Sequence, residues 1–96
     1  MSSIVVKDSN GSMMEVPTAG VFVEIGMVPS TDYVKDVLQL DPLGRVKVNA
    51  KNQRTEVDGI WAAGDCTDEL YHQNNIAAGD AIKALEDIYF WLKASK

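Results

Sequence analysis

The 96 residues bound the chain to one domain at most, and a domain of this size buries only about 60 to 65% of its unfolded surface. Hydrophobic residues at 46% and charged residues at 24% exclude the polar bias of disorder, and a net charge of -5 with nine scattered basic residues disfavours nucleic acid and acidic membrane surfaces. The single cysteine, Cys66, excludes an internal disulfide, a Cys-x-x-Cys redox pair and a cysteine zinc site.

No run approaches the ~20 apolar residues that span a bilayer, and Met1-Ser-Ser-Ile-Val-Val-Lys7 is too short in apolar length for a signal segment. A soluble, cytosolic protein without a metal site is expected.

In chain order, Ile4–Val6 and Met13–Val16 are β-favouring runs separated by a loop containing Asn10-Gly11, which predicts a β-hairpin. Pro17–Gly20 then breaks the chain. Gly20-Val-Phe-Val-Glu-Ile-Gly26 follows and reads as an apolar strand buried on both faces, with Glu24 its one charged residue. After Pro29, Ser30 or Thr31 is expected to cap a helix of about two turns, with Val34, Val37 and Leu38 along one side. Asp41-Pro42-Leu43-Gly44 is a type I turn signature. Arg45–Asn49 alternates as a half-buried strand whose valines face inward. Ala50–Arg54 is a second turn region.

Thr55-Glu-Val-Asp-Gly-Ile60-Trp-Ala-Ala-Gly64-Asp65 is the most informative stretch. An apolar strand over residues 60–63 runs into a Gly-Asp corner, which sets a carboxylate at the strand's C-terminal end, where open α/β folds bind ligands. Taken alone, Gly-Asp is equally a polar turn after a buried strand. Thr67–Gln73 reads as a loop, with Asn74 or Asn75 the expected N-cap of a long helix. There Ala78, Ala81, Ile82, Leu85, Ile88, Tyr89 and Leu92 recur at three and four residues, with Asp80, Lys83, Glu86 and Asp87 between them.

The succession Gly20–Gly26, Pro29-Ser-Thr31, Thr55–Asp65, Tyr71-His-Gln73 and Ala77-Ala-Gly79-Asp80 resembles the C-terminal part of thioredoxin reductases and, equally, the flavoprotein subunit of alkyl hydroperoxide reductase. The resemblance implies an α/β fold: a partial FAD/NAD(P)-binding, Rossmann-like domain with an N-terminal β-hairpin and a long C-terminal helix. It implies that residues 1–26 are strands ending the NAD(P)H-binding domain and that residues 27–96 are the returning segment of the FAD-binding domain.

FAD is the implied cofactor. In the resembling enzymes the aspartate matching Asp65 accepts a hydrogen bond from a ribityl hydroxyl, a task suited to an acceptor-only carboxylate, and Gly64 lets the cofactor chain pass without a Cβ in the way. Gln73 and Asn74 match positions whose backbone amides face the pyrimidine edge of the flavin, and His72 stands where an arginine is common. Cys66 reads as a small filler or a thiol near flavin, Trp61, Tyr89, Phe90 and Trp91 as core packing with Phe90 or Trp91 at the surface, and Gly79 as a point of close packing or cofactor approach.

No Gly-x-Gly-x-x-Gly turn is present, nor a Cys-x-x-Cys pair, so the chain is not expected to turn over by itself and no catalytic residue is assigned. The leading reading is a fragment or small homologue of an FAD-dependent NAD(P)H:disulfide oxidoreductase. The alternative is a non-enzymatic interaction module with exposed apolar surface around Val21, Ile25, Ile60, Ile82 and Leu85. Either way the expected partner is a second copy or a complementary flavoprotein subunit.

Overall fold

A computed structural model describes residues 2–95. Four elements follow one another: strand β1 (Ser3–Lys7), strand β2 (Met13–Pro17), a 3₁₀ turn (Asp32–Val34) and helix α1 (Asn74–Ala94). The hairpin and the long helix stand where the sequence predicts them.

The hairpin is locally determined. β1 and β2 pair antiparallel from Ser3 opposite Pro17 to Lys7 opposite Met13. Asp8 Oδ1 accepts from the backbone N–H groups of Asn10 and Ser12, both at 2.9 Å, and Gly11 takes the positive φ of 85° that the reversal requires. Among the described elements these two strands pack only on each other.

Gly20–Gly26 does not form the expected buried strand. Residues 21–28 make no hydrogen bond within the described residues, and Phe22 is 89% and Ile25 87% exposed. A strand exists only where a neighbour supplies backbone partners. The β-favouring composition is present here without that neighbour.

The expected two-turn helix shrinks to a single 3₁₀ turn. Its N-terminal end has no side-chain cap, because the Thr31 hydroxyl donates instead to Gly44 O at 2.5 Å. That bond ties the segment to the Asp41–Gly44 turn, which forms as predicted with Gly44 N–H donating to Asp41 O at 2.9 Å. Asp41 also accepts from the backbone N–H of Arg45 at 2.8 Å and from its Nε at 2.7 Å. These contacts, the backbone one foremost, hold the Asp41 carboxyl below the usual carboxylate range.

Arg45–Asn49 is likewise not a continuous strand. Val46 alone forms bridges, antiparallel to Leu40 and parallel to Thr67, and it is buried while Val48 is half-buried. The inward valines are therefore as expected. Residues 60–63 are extended rather than a full strand. One antiparallel bridge joins Trp61 to Arg54, and the backbone N–H groups of Trp61 and Ala63 find no backbone partner among the described residues. One edge of this segment is open.

Helix α1 begins one residue earlier than an asparagine cap would give. Gln73 is the N-cap, extended at φ -137° and ψ 153° with no side-chain cap bond, and Asn74 and Asn75 lie inside the first turn. The helix is rotated so that Asp80 and Ala84 are its buried residues. The stripe of Ala78, Ala81, Ile82, Leu85, Tyr89 and Leu92 is exposed instead, with Ile88 half-buried. Phe90 is exposed and Trp91 half-buried, matching the expectation that one of the pair faces outward.

The rotation has an identifiable cause. Asp87 Oδ2 accepts from Arg54 Nε at 2.5 Å and Trp61 Nε1 at 2.8 Å, and Asp87 Oδ1 from Arg54 Nη2 at 3.3 Å. The Arg54 guanidinium lies 5.8 Å from the Trp61 ring centre, and Trp61 meets Trp91 edge-on at 5.5 Å. The arginine bonds foremost, then the indole N–H, hold the Asp87 carboxyl below its usual range. Asp80 in turn pairs with Lys83 Nζ at 2.9 Å, and Lys83 also donates to Ala50 O at 2.8 Å.

The resulting body is thinly filled. Its buried hydrophobic residues are Leu38, Val46 and Ala84. Its accessible surface is 7561 Å² for a mass of 10.5 kDa, about 2,100 Å² more than a compact monomer of that mass exposes. Its radius of gyration is 19.9 Å and its longest extent 65 Å, against a radius of about 12.5 Å for a compact domain of this length. The fold is elongated and exposes apolar surface that a compact domain of this length would bury.

Candidate functional site

The corner after residue 63 is built by glycine, threonine and helix α1 together. Gly64 takes φ +84°, and a Cβ placed on it would stand 3.3 Å from the Ala77 Cβ of the first helical turns. Gly64 is therefore required by its backbone conformation and by the close approach of α1. Thr67, fully buried, closes the turn by donating its hydroxyl to Gly64 O at 2.7 Å and its backbone N–H to the same oxygen at 3.0 Å.

This turn lifts Asp65 to its tip. The Asp65 side chain is exposed and has no hydrogen-bond partner among the described residues. Cys66 follows, half-buried, with its thiol directed to Ala63 O at 3.5 Å. Both residues face a groove of about 650 Å³ lined also by Met27, Val28, Pro29, Ser30, Leu43, Arg45 and His72. The His72 Nε2 atom is buried and without a partner.

Of the residues singled out from sequence, the fold brings Asp65, Cys66 and His72 to one groove, with Gly64 buried directly behind. Gln73 and Asn74 are exposed beside it and do not line it. Their backbone N–H groups belong to the uncapped end of α1, where donors are left over by the helix itself. Gly79 has open space where a Cβ would be, so no close packing within the described residues explains it.

Sequence reasoning missed Arg45 and the wall formed by Met27–Ser30. Arg45 was legible only as one member of an alternating pattern. Its place at the groove depends on Asp41, which holds it through Nε, and its two terminal nitrogens have no hydrogen-bond partner among the described residues. The motif Pro29-Ser-Thr31 was visible, but nothing in its composition announces a wall.

The donor set is chemically specific. An acceptor-only carboxylate, a guanidinium with free donors and an imidazole nitrogen without a partner surround an otherwise apolar groove. Such a groove suits a ligand with an apolar part, hydroxyls and anionic oxygens.

Residues 2–81 match the sequence family described as pyridine nucleotide-disulphide oxidoreductase. The chain is 43% identical over 76 residues to an alkyl hydroperoxide reductase component of Pseudomonas putida, covering 79% of this chain and 14% of that protein. It is 39% identical over 84 residues to thioredoxin reductase of Streptomyces coelicolor, covering 88% of this chain and 26% of that one. Among solved structures, the T. acidophilum thioredoxin reductase superposes with a TM-score of 0.82 at 37% identity, over 92% of this chain and 29% of that one. The Lactococcus lactis thioredoxin reductase gives the same TM-score at 29% identity, over 96% and 31%. The chain thus spans only 14% to 26% of the length of these curated relatives.

Proposed function

The chain belongs to the pyridine nucleotide-disulphide oxidoreductase family, as a short segment of the thioredoxin reductase and alkyl hydroperoxide reductase type, and on that premise we propose that it supplies one wall of a flavin cradle without completing it. The family uses FAD, and when bound FAD supplies the redox chemistry, carrying electrons from a reduced nicotinamide towards a disulfide.

One observation carries the reading. Asp65, raised on the Gly64 turn, presents a partnerless carboxylate to the groove that also holds Arg45 and the orphaned Nε2 of His72. These residues fit the group: the Asp65 carboxylate would accept from a cofactor hydroxyl, Arg45 would donate to and neutralise anionic oxygens, and the unpartnered Nε2 of His72 would take a polar atom of the group. Their own work is to bind and orient.

In the same reading residues 1–26 close a nicotinamide-binding domain and residues 27–96 return to a Rossmann-like FAD domain. The open edge at Trp61 and Ala63 and the unpaired strap at 21–28 then receive neighbouring strands from a complementary flavoprotein segment. The chain is inactive until that segment is present.

The test is native mass spectrometry of the chain purified alone and after co-expression with a thioredoxin reductase truncated to remove the matching region. The reading expects no flavin on the chain alone and a complex carrying one FAD with the complementing segment. A complex that forms without flavin would sink it and leave a non-enzymatic interaction module, which the exposed stripe of α1 favours as second reading.

A further inference from the structure

Gln53 carries two costs that a glycine in its place would avoid. It is the one non-glycine residue at positive φ, 62°, among the described residues, a conformation that strains any residue with a Cβ and that glycine takes freely. It is also fully buried, and its Oε1 atom has no hydrogen-bond partner among the described residues. A buried acceptor left without a donor destabilises the fold. Strain and an orphaned polar atom at one residue point to work done by its side chain.

That work is done at the segment leading to the Gly64 corner. Residues 53–55 run along one edge of residues 60–62, with Ala62 N–H donating to Gln53 O and Thr55 N–H to Ile60 O, both at 3.1 Å. They flank the antiparallel bridge between Arg54 and Trp61. In a continuing antiparallel ladder the Gln53 N–H would donate in return to Ala62 O. It is taken up instead by Asn49 O at 2.7 Å, because the chain turns away here through its left-handed residue. The Gln53 side chain replaces the lost donor: Nε2 donates to Ala62 O at 3.1 Å. One residue thus holds both polar groups of Ala62, the N–H with its backbone oxygen and the C=O with its carboxamide.

Ala62 stands three residues before Asp65. Beyond the corner, Thr67 ties down Gly64 O, and Ala77 lies against Gly64. On the opposite edge of residues 60–63, the N–H groups of Trp61 and Ala63 have no backbone partner among the described residues. Within this chain the alignment of the segment therefore rests on the edge that Gln53 completes, and a tilt of the Ala62 peptide would carry the Asp65 carboxylate with it.

We infer that Gln53 is a positioning residue for Asp65, its buried carboxamide fixing the Ala62 peptide and, through it, the place of the carboxylate at the groove. Gln53 does not itself line the groove. The consequence for flavin rests on the cradle reading, whereas the placement of the corner does not.

The test uses the nitrogen-15-labelled full chain, read by NMR. The side-chain NH₂ of Gln53 should exchange with solvent far more slowly than those of the exposed Gln39 and Gln73, a comparison that needs no variant. Gln53→Met keeps the length of the side chain and deletes the donor. It should shift the backbone amides of residues 63–65, whereas Leu38→Ala, in the core and away from the groove, should lower stability and leave those amides in place. In the complex with the complementing thioredoxin reductase segment, Gln53→Met should hold FAD about tenfold more weakly than the parent chain, the scale of one displaced hydrogen bond to a charged group. Leu38→Ala should hold it as the parent does. A Gln53 NH₂ that exchanges as fast as the other two, amides 63–65 unmoved by Gln53→Met, or parent-like FAD affinity in that variant would each overturn the inference. A parent complex without flavin would refute the cradle reading alone, and the NMR comparisons would still decide the role of Gln53.

Discussion

Replacing Gly64 by alanine tests whether the Gly-Asp corner is held by backbone conformation and by helix α1. At φ +84° a residue with a Cβ costs about 1–2 kcal/mol relative to glycine. The new Cβ would stand 3.3 Å from the Ala77 Cβ, a few tenths of an ångström inside the roughly 3.5–4.0 Å optimum, which adds about 1 kcal/mol at the low end of overpacking costs. The sum is about 2–3 kcal/mol. Urea unfolding followed by the fluorescence of Trp61 and Trp91, which touch each other across the α1 contact, should shift its midpoint by roughly 1–2 M for a chain of this size. Ala77→Gly removes the overlap at a helix cost of about 1 kcal/mol, so the double-mutant cycle should give a favourable coupling of about 1 kcal/mol. The reasoning is refuted if Gly64→Ala lies within about 0.5 kcal/mol of the parent chain, or if the coupling falls below about 0.3 kcal/mol, the range of independent sites.

Asp87 makes the fold acid-sensitive: its carboxyl is held below the ordinary value of 3.8 by Arg54 and Trp61, so its contribution is full above about pH 4 and is lost as pH falls through the depressed value. Asp87→Asn should therefore lower stability at neutral pH and flatten the acid limb of a pH–stability curve, and an unchanged acid limb would contradict the clamp. Phe22→Ser, at a position 89% exposed, should change the stability of the chain alone by less than about 0.5 kcal/mol yet weaken capture by a complementary flavoprotein segment in a pull-down titration. Equal capture of both forms would mean that the strap at residues 21–28 is not an interface.

What was legible in the sequence was local. The hairpin could be read because Asp8, Asn10 and Gly11 make its turn within five residues, and α1 because its apolar periodicity runs unbroken from Ala78 to Leu92. Gly20–Gly26 misled because valine, phenylalanine and isoleucine report a buried strand only when the other strands are present. Thr31 looked like a helix cap, but its hydroxyl was taken by Gly44, thirteen residues away.

The orientation of α1 was illegible for the same kind of reason. Periodicity marks an apolar stripe but does not say what it faces. The side that meets the body was chosen by Arg54 and Asp87, thirty-three residues apart. At the candidate site, the family pattern singles out Asp65 and His72, which the fold brings to one groove, and it marks Gly64 for cofactor approach without announcing that the absent Cβ also makes room for Ala77. Arg45 could not be found, because its place follows from a turn made by Asp41.

The central claim is that Asp65 is a flavin-holding group in a cradle completed by another segment. The most direct measurement is the flavin content of the co-expressed complex, by absorbance after gel filtration, for the parent chain and for Asp65→Ala. The complex should retain flavin with the parent chain and lose most of it with the variant, while both complexes form equally well. Undiminished flavin in the Asp65→Ala complex would contradict the account.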